Sequence, residues 1–403
     1  MYKLFLAKRF VEDVIMFPFI LIGKMIALFK PLGREYETFF FFPFYHVGGA
    51  EKVHANIARA TGNKNCIIFF TRKSQNNLFW NDFAQSGCVM KDISRYTDNK
   101  WIHFVNIIFR GIISHYINSQ RQKPVVFNGQ CNFGYKISPW IDKSIPQIEL
   151  IHSLCSFSYI RIPFLPFITK TIMISTIRIQ EHLDLYKRYS IPLKLGGKIL
   201  FIMNAIDLPA TKPVKNVGSE ELIVLYVGRS TAEKRVQLIA QIAKAIKGKE
   251  KNISFWFMGE VKEAIPSELH SYCKFLGNQS DPKVINDVYK QSHILILVSD
   301  TEGFPMVVME AMSNGLAIVS TAVGEVPLHV KNGTNGFLIQ NYVDASAVVE
   351  DAMKAILILD NDRNMLQSIA DKNIGYAFEN FGMNRFKKEY QQLFSEMRSS
   401  LVS

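Results

Sequence analysis

The segment Ser299–Asn314 (SDTEGFPMVVMEAMSN) constrains the fold more than any other part of the chain. It begins at the end of an apolar run, continues as a polar loop with the turn residues Gly303 and Pro305, and then becomes almost wholly apolar. Plotted at 100° per residue, apolar side chains surround the resulting helix on all sides, which predicts that the helix packs inside the protein. A buried strand that leads through a short loop into a buried helix is typical of α/β proteins.

Two carboxylates stand out in this segment, because Glu310 is the ionisable side chain of the apolar helix and Glu302 lies in the loop before it. A buried carboxylate must find hydrogen-bond donors. Pro305 suits the first helical position, so the free backbone amides of Phe304–Val307 should point at an anion. The segment therefore predicts a phosphate site beside two acidic groups that bind hydroxyls. The alternative is that Glu310 only pairs with a structural Arg or Lys.

The composition fits a globular chain of two or three domains. Of its 403 residues, 48% are hydrophobic and 20% are charged, which argues against disorder. The formal net charge of +12 is compatible with nucleic acid, an anionic membrane or a phosphorylated substrate, and the 31 Phe favour a membrane. The five cysteines are scattered without a CxxC pair, so we expect neither a disulfide framework nor a zinc site. A reducing cytoplasm fits this pattern best.

The first thirty residues combine Lys3, Lys8 and Arg9 with the apolar run Val14–Gly23. This run is too short to span a bilayer as a helix. A secretory signal is the alternative, but no small-residue cleavage site follows the run. We interpret residues 1–35 as a basic and apolar segment whose helix lies in the membrane interface.

Short apolar segments alternate with segments of helical spacing along the chain. This alternation predicts mostly parallel sheets with helices on both faces. Lys194–Lys198 (KLGGK) is the best candidate for a hinge, because a second α/β pattern starts after it. The predicted strands are Thr38–Phe44, Lys64–Phe70, Pro124–Phe127, Gln147–Ile151, Ile172–Ser175, Leu222–Val227, Ser254–Met258, Cys273–Leu276, Ile294–Val298, Leu316–Ser320 and Gly336–Ile339.

Two loops of the N-terminal half follow predicted strands with residues suited to a ligand. Gly48 and Gly49 would let the backbone approach a ligand closely, although a plain tight turn explains them as well. His152 comes directly after a strand, where open α/β sheets present ligand contacts. A lone histidine can equally be structural.

A third such loop, in the C-terminal half, carries Arg229 and Lys234 between a strand and a helical run. Two cations at the mouth of a helix N-terminus can clamp a diphosphate. The alternative is a charged loop that is simply solvated.

Two aromatic and basic stretches of the N-terminal half are expected at the surface. Phe157–Thr169 carries two prolines, which predicts a surface loop or an interfacial patch rather than a core element. Together with Trp101–Tyr116 and residues 1–30, it favours a lipid or lipid-linked substrate. A soluble acceptor, with the basic surface merely solvated, is the alternative.

In their order and spacing, these motifs resemble glycosyltransferase family 4, the retaining family also described as glycosyl transferases group 1. The E-x7-E motif of Glu302 and Glu310 and the pair Arg229 and Lys234 are the central matches. The likeness is strong over 222–339, thin in the N-terminal half and absent from the first 35 residues. The other matching motifs are Gly48–Glu51 (GGAE), Met203–Asp207 (MNAID, with Ala205 where the family usually has Gly), Val323–Val326 (VGEV) and Asn332–Phe337 (NGTNGF).

The resemblance implies an α/β fold of the GT-B type, in which two Rossmann-like domains with parallel sheets face each other across a cleft. The expected divisions are an N-terminal segment at 1–35, an acceptor domain at 36–195, a nucleotide-sugar donor domain at 196–375, and a C-terminal helix at 376–403 that packs back on the N-terminal domain.

The resemblance also implies roles for single residues. Arg229 and Lys234 would bind the diphosphate of a nucleotide sugar. Glu310 would bind the ribose hydroxyls, and Glu302 the transferred sugar. His152 would match a histidine that contacts the sugar near the reacting carbon. The expected catalytic residues are Glu302, His152, Arg229 and Lys234, and the further donor-binding positions are Gly49, Gly303, Phe304, Pro305, Met306, Val307 and Glu310.

The implied activity is retaining transfer of a hexose from a UDP- or GDP-linked donor to a glycan or lipid-linked acceptor, in surface polysaccharide biosynthesis. No metal or other cofactor is expected, because cations and amides meet the negative charge that develops on the leaving diphosphate. The expected location is the cytoplasm, with peripheral attachment to an anionic membrane at its inner face and no nucleic-acid partner. The alternatives are a nucleotide-sugar epimerase of similar fold and a non-catalytic, membrane-associated binding protein.

Overall fold

The computed structural model describes residues 1–46, 48–99, 103–249 and 251–399. Trp101 and Ile102, the first two residues of the stretch Trp101–Tyr116 named above, lie outside the described residues. The chain forms two compact units, Met1–Asn204 with Asn384–Ser403 as unit 1 and Ala205–Met383 as unit 2. Each unit contains one sheet of parallel strands surrounded by helices. The predicted α/β class with two Rossmann-like sheets is confirmed.

The sheet of unit 1 has seven strands, two of which the sequence pattern did not reveal. The strands are β1 (Thr38–Phe42), β2 (Cys66–Phe70), β3 (Val89–Asp92), β4 (Val125–Asn128), β5 (Gln147–Ile151), β6 (Lys170–Met173) and β7 (Ile199–Phe201). All pairs are parallel, in the order β3-β2-β1-β4-β5-β6-β7. The missed strands β3 and β7 lie at the two edges, where side chains are partly exposed. Strand β3 lacks the continuous apolar run that marks a central parallel strand, because it ends in Lys91 and Asp92, whereas β7 has such a run in Ile199–Met203.

The aromatic run of β1 fits its place inside the sheet, between β2 and β4. Phe39–Phe42 are all fully buried. Successive side chains of a strand point to opposite faces, so four consecutive buried phenylalanines require cover on both. Phe40 packs against Phe127 at 5.7 Å between ring centroids, and Phe41 stacks on Phe69 at 5.6 Å.

The helices of unit 1 before residue 204 cover this sheet. They are α1 (Tyr2–Phe29), α2 (Gly49–Thr61), α3 (Trp80–Ala84), α4 (Ser94–Thr97), α5 (His103–Asn118), α6 (Asn132–Ile137), α7 (Ser156–Ile160), α8 (Thr176–Arg188) and α9 (Leu193–Gly196), with 3-10 helices at Ser138–Trp140 and Ile162–Phe167. The predicted hinge Lys194–Lys198 falls on α9 and the two residues between α9 and β7, within unit 1.

Helix α1 runs along α5, and two glycines bring the helices into close contact. A Cβ atom built on Gly23 would lie 2.0 Å from the backbone oxygen of Ile108. One built on Gly111 would lie 2.2 Å from the backbone oxygen of Ile20. Only glycine fits at either position, so α1 is an integral layer of unit 1. Among the described helices, none is long and apolar enough to cross a membrane.

Six of the thirteen residues of Phe157–Thr169 are buried, so the prediction that this stretch is a surface loop rather than a core element is wrong for most of its second half. It forms α7 and the 3-10 helix Ile162–Phe167, in which Phe164 and Leu165 are buried. Arg161 is fully buried and makes hydrogen bonds to both carboxylate oxygens of Glu149 in β5. A buried guanidinium needs such a partner. Arg161 favoured a surface position in the sequence because its partner Glu149 lies on another element and is not visible from the local pattern.

The sheet of unit 2 has six parallel strands, all near the predicted positions. They are β8 (Leu222–Val227), β9 (Ile253–Met258), β10 (Cys273–Gly277), β11 (Ile294–Leu297), β12 (Ala317–Thr321) and β13 (Gly336–Ile339), in the order β10-β9-β8-β11-β12-β13. The helices are α10 (Val236–Lys247), α11 (Pro282–Gln291), α12 (Met306–Ser313), α13 (Val326–His329), α14 (Ala345–Asn361) and α15 (Arg363–Asn380), with 3-10 helices at Ala232–Lys234, Lys262–Ala264 and Ser267–Tyr272.

The last described helix, α16 (Met383–Ser399), packs on unit 1. Phe394 stacks on Phe40 of β1 at 5.9 Å between ring centroids. Gln391 donates to the backbone oxygen of Ala60 at 2.9 Å. The C-terminal helix therefore completes the layer over one face of the first sheet.

The limits of the units differ by a few residues from the expected divisions. Unit 1 continues past residue 195 to Asn204, because β7 pairs with β6 after the expected division. Unit 2 continues past residue 375 to Met383, because α15 runs unbroken to Asn380. Strand pairing and helix continuity, which set these limits, are properties of the folded chain.

We expect Gly111→Ala to lower the free energy of unfolding by about 1–3 kcal/mol, because the added methyl group must push α1 away from α5. Gly375→Ala is the matched control, since a Cβ atom at this helical position meets nothing within 4 Å. The control should be neutral or stabilising by about 0.4–1 kcal/mol. Urea unfolding followed by circular dichroism measures both changes. Equal stability of Gly111→Ala and the parent chain would contradict the close helix contact.

Candidate active site

The two loops of unit 2 that carry the predicted donor-binding residues lie side by side. Residues 228–235 follow β8 and residues 298–305 follow β11, and these strands are paired in parallel. The carboxyl ends of paired parallel strands emerge at one edge of the sheet, where open α/β sheets bind ligands. The Asp300 amide donates to the Glu233 backbone oxygen at 3.0 Å. Arg235 Nε donates to the Val298 backbone oxygen at 2.7 Å, so the two loops are tied together.

Lys234 and Glu302 form the central contact between these loops. Lys234 Nζ lies 2.5 Å from Glu302 Oε1, and the Ser299 hydroxyl donates to the same oxygen at 2.7 Å. The side chains of Lys234 and Glu302 are only 19% and 10% exposed. Attraction between opposite charges is stronger in such a shielded setting than at an open surface. Two residues predicted from separate motifs are thus brought together as one charged pair.

Arg229 belongs to the same loop as Lys234 and is exposed. Its backbone oxygen accepts a hydrogen bond from the Tyr226 hydroxyl at 2.7 Å. The preceding turn is tight, because a Cβ atom on Gly259 would lie 2.0 Å from the backbone oxygen of Gly228. The backbone at Arg229 is therefore held in place while its guanidinium is accessible from solvent.

Helix α12 starts one residue later than predicted, since Pro305 is its N-cap and Met306 its first helical residue. Proline has no N–H, so the amides of Met306 and Val307 are the donors that open the helix. A helix N-terminus carries a partial positive charge. This end of α12 can therefore attract an anion.

The loop before α12 is packed firmly from two sides. Phe304 is buried and stacks on His329 of α13 at 4.1 Å between ring centroids. A Cβ atom on Gly324 would lie 2.2 Å from the backbone oxygen of Gly303. Gly324 has φ +56°, which also favours glycine. The VGEV motif thus serves to hold the loop that carries Glu302.

Glu310 is held by a tyrosine that the sequence analysis did not assign. The Tyr289 hydroxyl, on α11, donates to Glu310 Oε2 at 2.8 Å. Burial and, less strongly, the charge of Glu310 raise the pKa of Tyr289 well above its usual range. The phenol is therefore protonated at neutral pH and acts as a donor. A carboxylate held in this way can accept hydroxyl hydrogens through its other lone pairs.

In unit 1, His152 pairs with a second histidine, His54 of α2. Their Nε2 atoms lie 2.9 Å apart. His54 stacks on Phe42 at 4.7 Å, and the His152 amide donates to Gln130 Oε1 at 3.2 Å. Burial lowers the pKa of His152 to about 4, and burial together with His152 lowers the pKa of His54 well below its ordinary value. Both imidazoles are neutral at pH 7.

The pairing of two neutral imidazoles decides where their protons lie, because one Nε2 must donate and the other must accept. Nδ1 of His54 is buried without a hydrogen-bond partner among the described residues. A buried acceptor without a partner is tolerated more often than a buried N–H without one. The arrangement therefore favours protons on Nε2 of His54 and on Nδ1 of His152.

Gly49 is the first residue of α2 and is exposed, and a Cβ atom there would meet nothing within 4 Å. The neighbouring Gly48 differs, because a Cβ atom on it would lie 2.1 Å from Glu51 Oε2. A larger residue at 48 would therefore require the Glu51 side chain to move, while the open space at 49 is available to a ligand.

The partners that sequence reasoning missed are Ser299, Tyr289 and His54. Ser299 was visible as the polar residue that ends an apolar strand. His54 lies on the apolar face of α2, where a histidine usually signals packing. Tyr289 gives no local signal, because only the fold brings α11 to α12. Among the residues the structure describes, no group of three or more His, Cys, Asp or Glu could hold a metal ion.

Comparison with known proteins finds curated relatives that match somewhat less than half of the chain. Lipopolysaccharide 1,2-N-acetylglucosaminetransferase of Salmonella typhimurium is 23% identical over 198 residues, which cover 45% of this chain and 51% of that protein. N-acetyl-alpha-D-glucosaminyl L-malate synthase of Bacillus anthracis is 23% identical over 199 residues, which cover 47% of this chain and 50% of that protein. The chain thus spans about half the length of these curated relatives.

The whole fold is similar to solved glycosyltransferase structures. The crystal structure of Anabaena HepE in complex with UDP and glucose superposes with a TM-score of 0.68 at 15% identity, covering 91% of this chain and 100% of that one. The expected GT-B type of fold is confirmed by this likeness. Residues 209–373, which make up most of unit 2, match the family model described as glycosyl transferases group 1.

Proposed function

We propose that the chain is a retaining hexosyltransferase of glycosyltransferase family 4 that uses a UDP- or GDP-linked sugar as donor. The observation that carries this proposal is the contact of Lys234 with Glu302 beside the N-terminus of α12. It combines a cation and two backbone amides, which suit a diphosphate, with a carboxylate, which suits sugar hydroxyls. The complex of Anabaena HepE with UDP and glucose supports a nucleotide and a sugar as ligands of this fold.

The acceptor that we propose is a glycan or a lipid-linked glycan used in surface polysaccharide assembly. The curated relative in Salmonella typhimurium, whose name specifies lipopolysaccharide and N-acetylglucosamine transfer, supports this class. The reaction would take place in the cytoplasm, at the inner face of the membrane. Neither a nucleic acid nor a metal ion belongs to this proposal.

The proposed reaction breaks the bond between the anomeric carbon and the diphosphate. Negative charge develops on the leaving oxygen, and Arg229, Lys234 and the α12 amides are the groups that stabilise it. The acceptor hydroxyl forms the new bond on the same face of the sugar, and its proton passes to a phosphate oxygen of the leaving nucleoside diphosphate. Glu302 orients the transferred sugar by accepting hydrogen bonds from its hydroxyls.

Each of the remaining site residues has one proposed task. Glu310, supported by Tyr289, binds the ribose hydroxyls of the donor. Neutral His152 presents its Nδ1–H to the sugar near the reacting carbon. Gly49 lets the backbone approach the donor. Cations from the protein supply the positive charge that a bound metal ion supplies in other transferases, which is why we propose metal independence.

A panel of UDP- and GDP-sugars, screened by thermal shift and by product formation, tests this function. A donor at a hundred times its dissociation constant should stabilise the fold by about 2.7 kcal/mol. Glu302→Gln should lower transfer about 100-fold or more while free nucleoside diphosphate binds as before. Glu310→Gln should weaken the nucleotide itself about tenfold, and Tyr289→Phe should have a smaller effect in the same direction.

Glu350→Gln is the matched control, because this exposed carboxylate pairs with Lys354 on the outer side of α14. It should change neither binding nor transfer. Nucleotide binding and transfer that persist in both site variants would refute the assignment. Release of a 2-epimer of the donor without acceptor would instead identify an epimerase.

Arg229→Gln and Lys234→Gln should each lower kcat about 100-fold to 1,000-fold, as loss of one charge-stabilising donor typically does. Lys354→Gln serves as a control of equal charge change at an exposed position. Transfer should be unchanged after treatment with a chelator. Restoration of lost activity by a divalent ion would overturn the metal-independent scheme.

We expect His54→Leu to lower kcat about tenfold to 100-fold with little change in KM, because His152 loses the partner that fixes its tautomer. His54→Gln retains an N–H donor and should recover part of this loss. If both variants are less stable but have the kcat and KM of the parent chain, His54 has a role in packing only.

The burial of His54 and His152 predicts that the stability of the chain depends on pH. The pKa of His152 is about 4 in the folded chain and ordinarily 6.5, so the unfolded state binds more protons between these values. The contribution to stability is therefore fully present above pH 6.5 and is lost as pH falls toward 4. Replacing His152 by Gln should reduce the slope of the unfolding free energy against pH, between pH 4 and 6.5, by up to about 1.4 kcal/mol per pH unit. Replacing His54 by Gln should change the slope in the same direction.

A further inference from the structure

Helix α1 has two different faces along its whole length. One face, which includes Ile20, Gly23 and Ala27, is buried against unit 1. From Phe10 to Phe29, every exposed side chain of α1 is apolar. We define the outer face of α1 by Val11, Val14, Ile15, Ile22, Met25 and Phe29, which are 45–83% exposed.

An exposed apolar surface of this continuity is unusual for a protein that remains in water. Single exposed hydrophobic residues are normal, but contiguous patches mark sites of interaction with proteins or membranes. Helix α1 is not a loosely attached segment, because Gly23 and Gly111 allow its opposite face to pack closely on α5. The surface is therefore a stable feature of unit 1.

The charges of α1 are distributed so that the outer face is bordered by cations. Its two acidic residues are held on the side of the protein, where Glu12 pairs with Lys136 at 3.2 Å and Asp13 with Arg9 at 3.4 Å. The exposed ionisable side chains of residues 1–30 are Lys3, Lys8 and Lys30. Lysines therefore stand at both ends of the apolar face, and exposed carboxylates are missing from this stretch.

We propose that the outer face of α1 docks on the surface of an anionic lipid bilayer, with the helix lying in the plane of the interface. Apolar side chains would enter the boundary between headgroups and acyl chains, and the lysines would contact anionic headgroups. This inference deepens the proposed function and rests on it in one respect, since it names the surface through which the enzyme would reach a lipid-linked acceptor.

Charge distinguishes the bilayer from a second copy of the chain as occupant of this face. In a symmetric pair the same patch meets itself. Because lysines border both ends of the face, either a parallel or an antiparallel pairing of two α1 helices would bring lysines close to lysines. Like charges that face each other are destabilising. An anionic surface instead complements both ends at once.

The full chain should co-sediment with vesicles of phosphatidylcholine and phosphatidylglycerol in the absence of any nucleotide sugar. Ile15→Glu combined with Ile22→Glu should lower the partition coefficient at least about tenfold, because both side chains are exposed and would carry charge into the interface. Val214→Glu with Val343→Glu is the matched control, since these residues of unit 2 are 97% and 84% exposed. The control should bind as the parent chain does.

A second arm tests the electrostatic part. Replacing Lys3, Lys8 and Lys30 by Gln should lower binding to anionic vesicles about 100-fold, at about fivefold for each lysine near the surface. Binding to pure phosphatidylcholine should change much less. High salt should weaken the parent chain on anionic vesicles only.

Two results would overturn the proposal. In the first, Ile15→Glu with Ile22→Glu sediments with anionic vesicles as strongly as the parent chain. In the second, the parent chain fails to bind vesicles and is a dimer in analytical ultracentrifugation that the same double variant converts to a monomer, which identifies a second copy as the occupant. Donor binding measured on the same samples reports separately on the proposed function, so failure of one does not imply failure of the other.

Discussion

The pairing of β8 with β11 is the constraint on which the site of unit 2 depends. Two parallel strands in direct contact must deliver their following loops to one edge of the sheet, so Lys234 and Glu302 meet although they belong to separate motifs. A backbone hydrogen bond between the two loops and the packing of Phe304 on His329 then hold the loops in position at this edge of the sheet. The chemistry of the site is thus a consequence of strand order.

Much of this arrangement could be predicted from the sequence, because it rests on local signals. Central parallel strands are continuous apolar runs, and Leu222–Val227 and Gln147–Ile151 were predicted with their observed limits. Edge strand β3 was missed because Lys91 and Asp92 interrupt its apolar run. Edge strand β7 lies in the apolar run Ile199–Met203 but follows directly on the segment that was interpreted as a hinge. Phe157–Thr169 was misplaced because its buried Arg161 is neutralised by Glu149 from another element. His54 and Tyr289 could be recognised only through contacts that exist in the folded chain.

Two ion pairs of this chain differ in their exposure to solvent, and therefore in whether they can contact a ligand. Arg161 and Glu149 are fully buried, and the guanidinium bonds to both carboxylate oxygens. Such a pair is closed to solvent and serves packing. Lys234 and Glu302 also lie close together, but both retain exposed surface. A charged pair that is partly exposed can exchange its hydrogen bonds for hydrogen bonds to a ligand, whereas a fully buried pair cannot.

The contact of Gly23 with α5 has a consequence for how the chain would meet a surface. A protein tethered through a flexible segment tumbles, and only a small fraction of its orientations presents any given side to the membrane. A helix seated without a gap transmits its own orientation to the whole of unit 1. Binding would then confine unit 1 to two dimensions and restrict its rotation at once, which raises the effective concentration of any substrate embedded in the same layer. The absence of a side chain at Gly23 and at Gly111 would in this way determine the orientation in which unit 1 approaches a membrane.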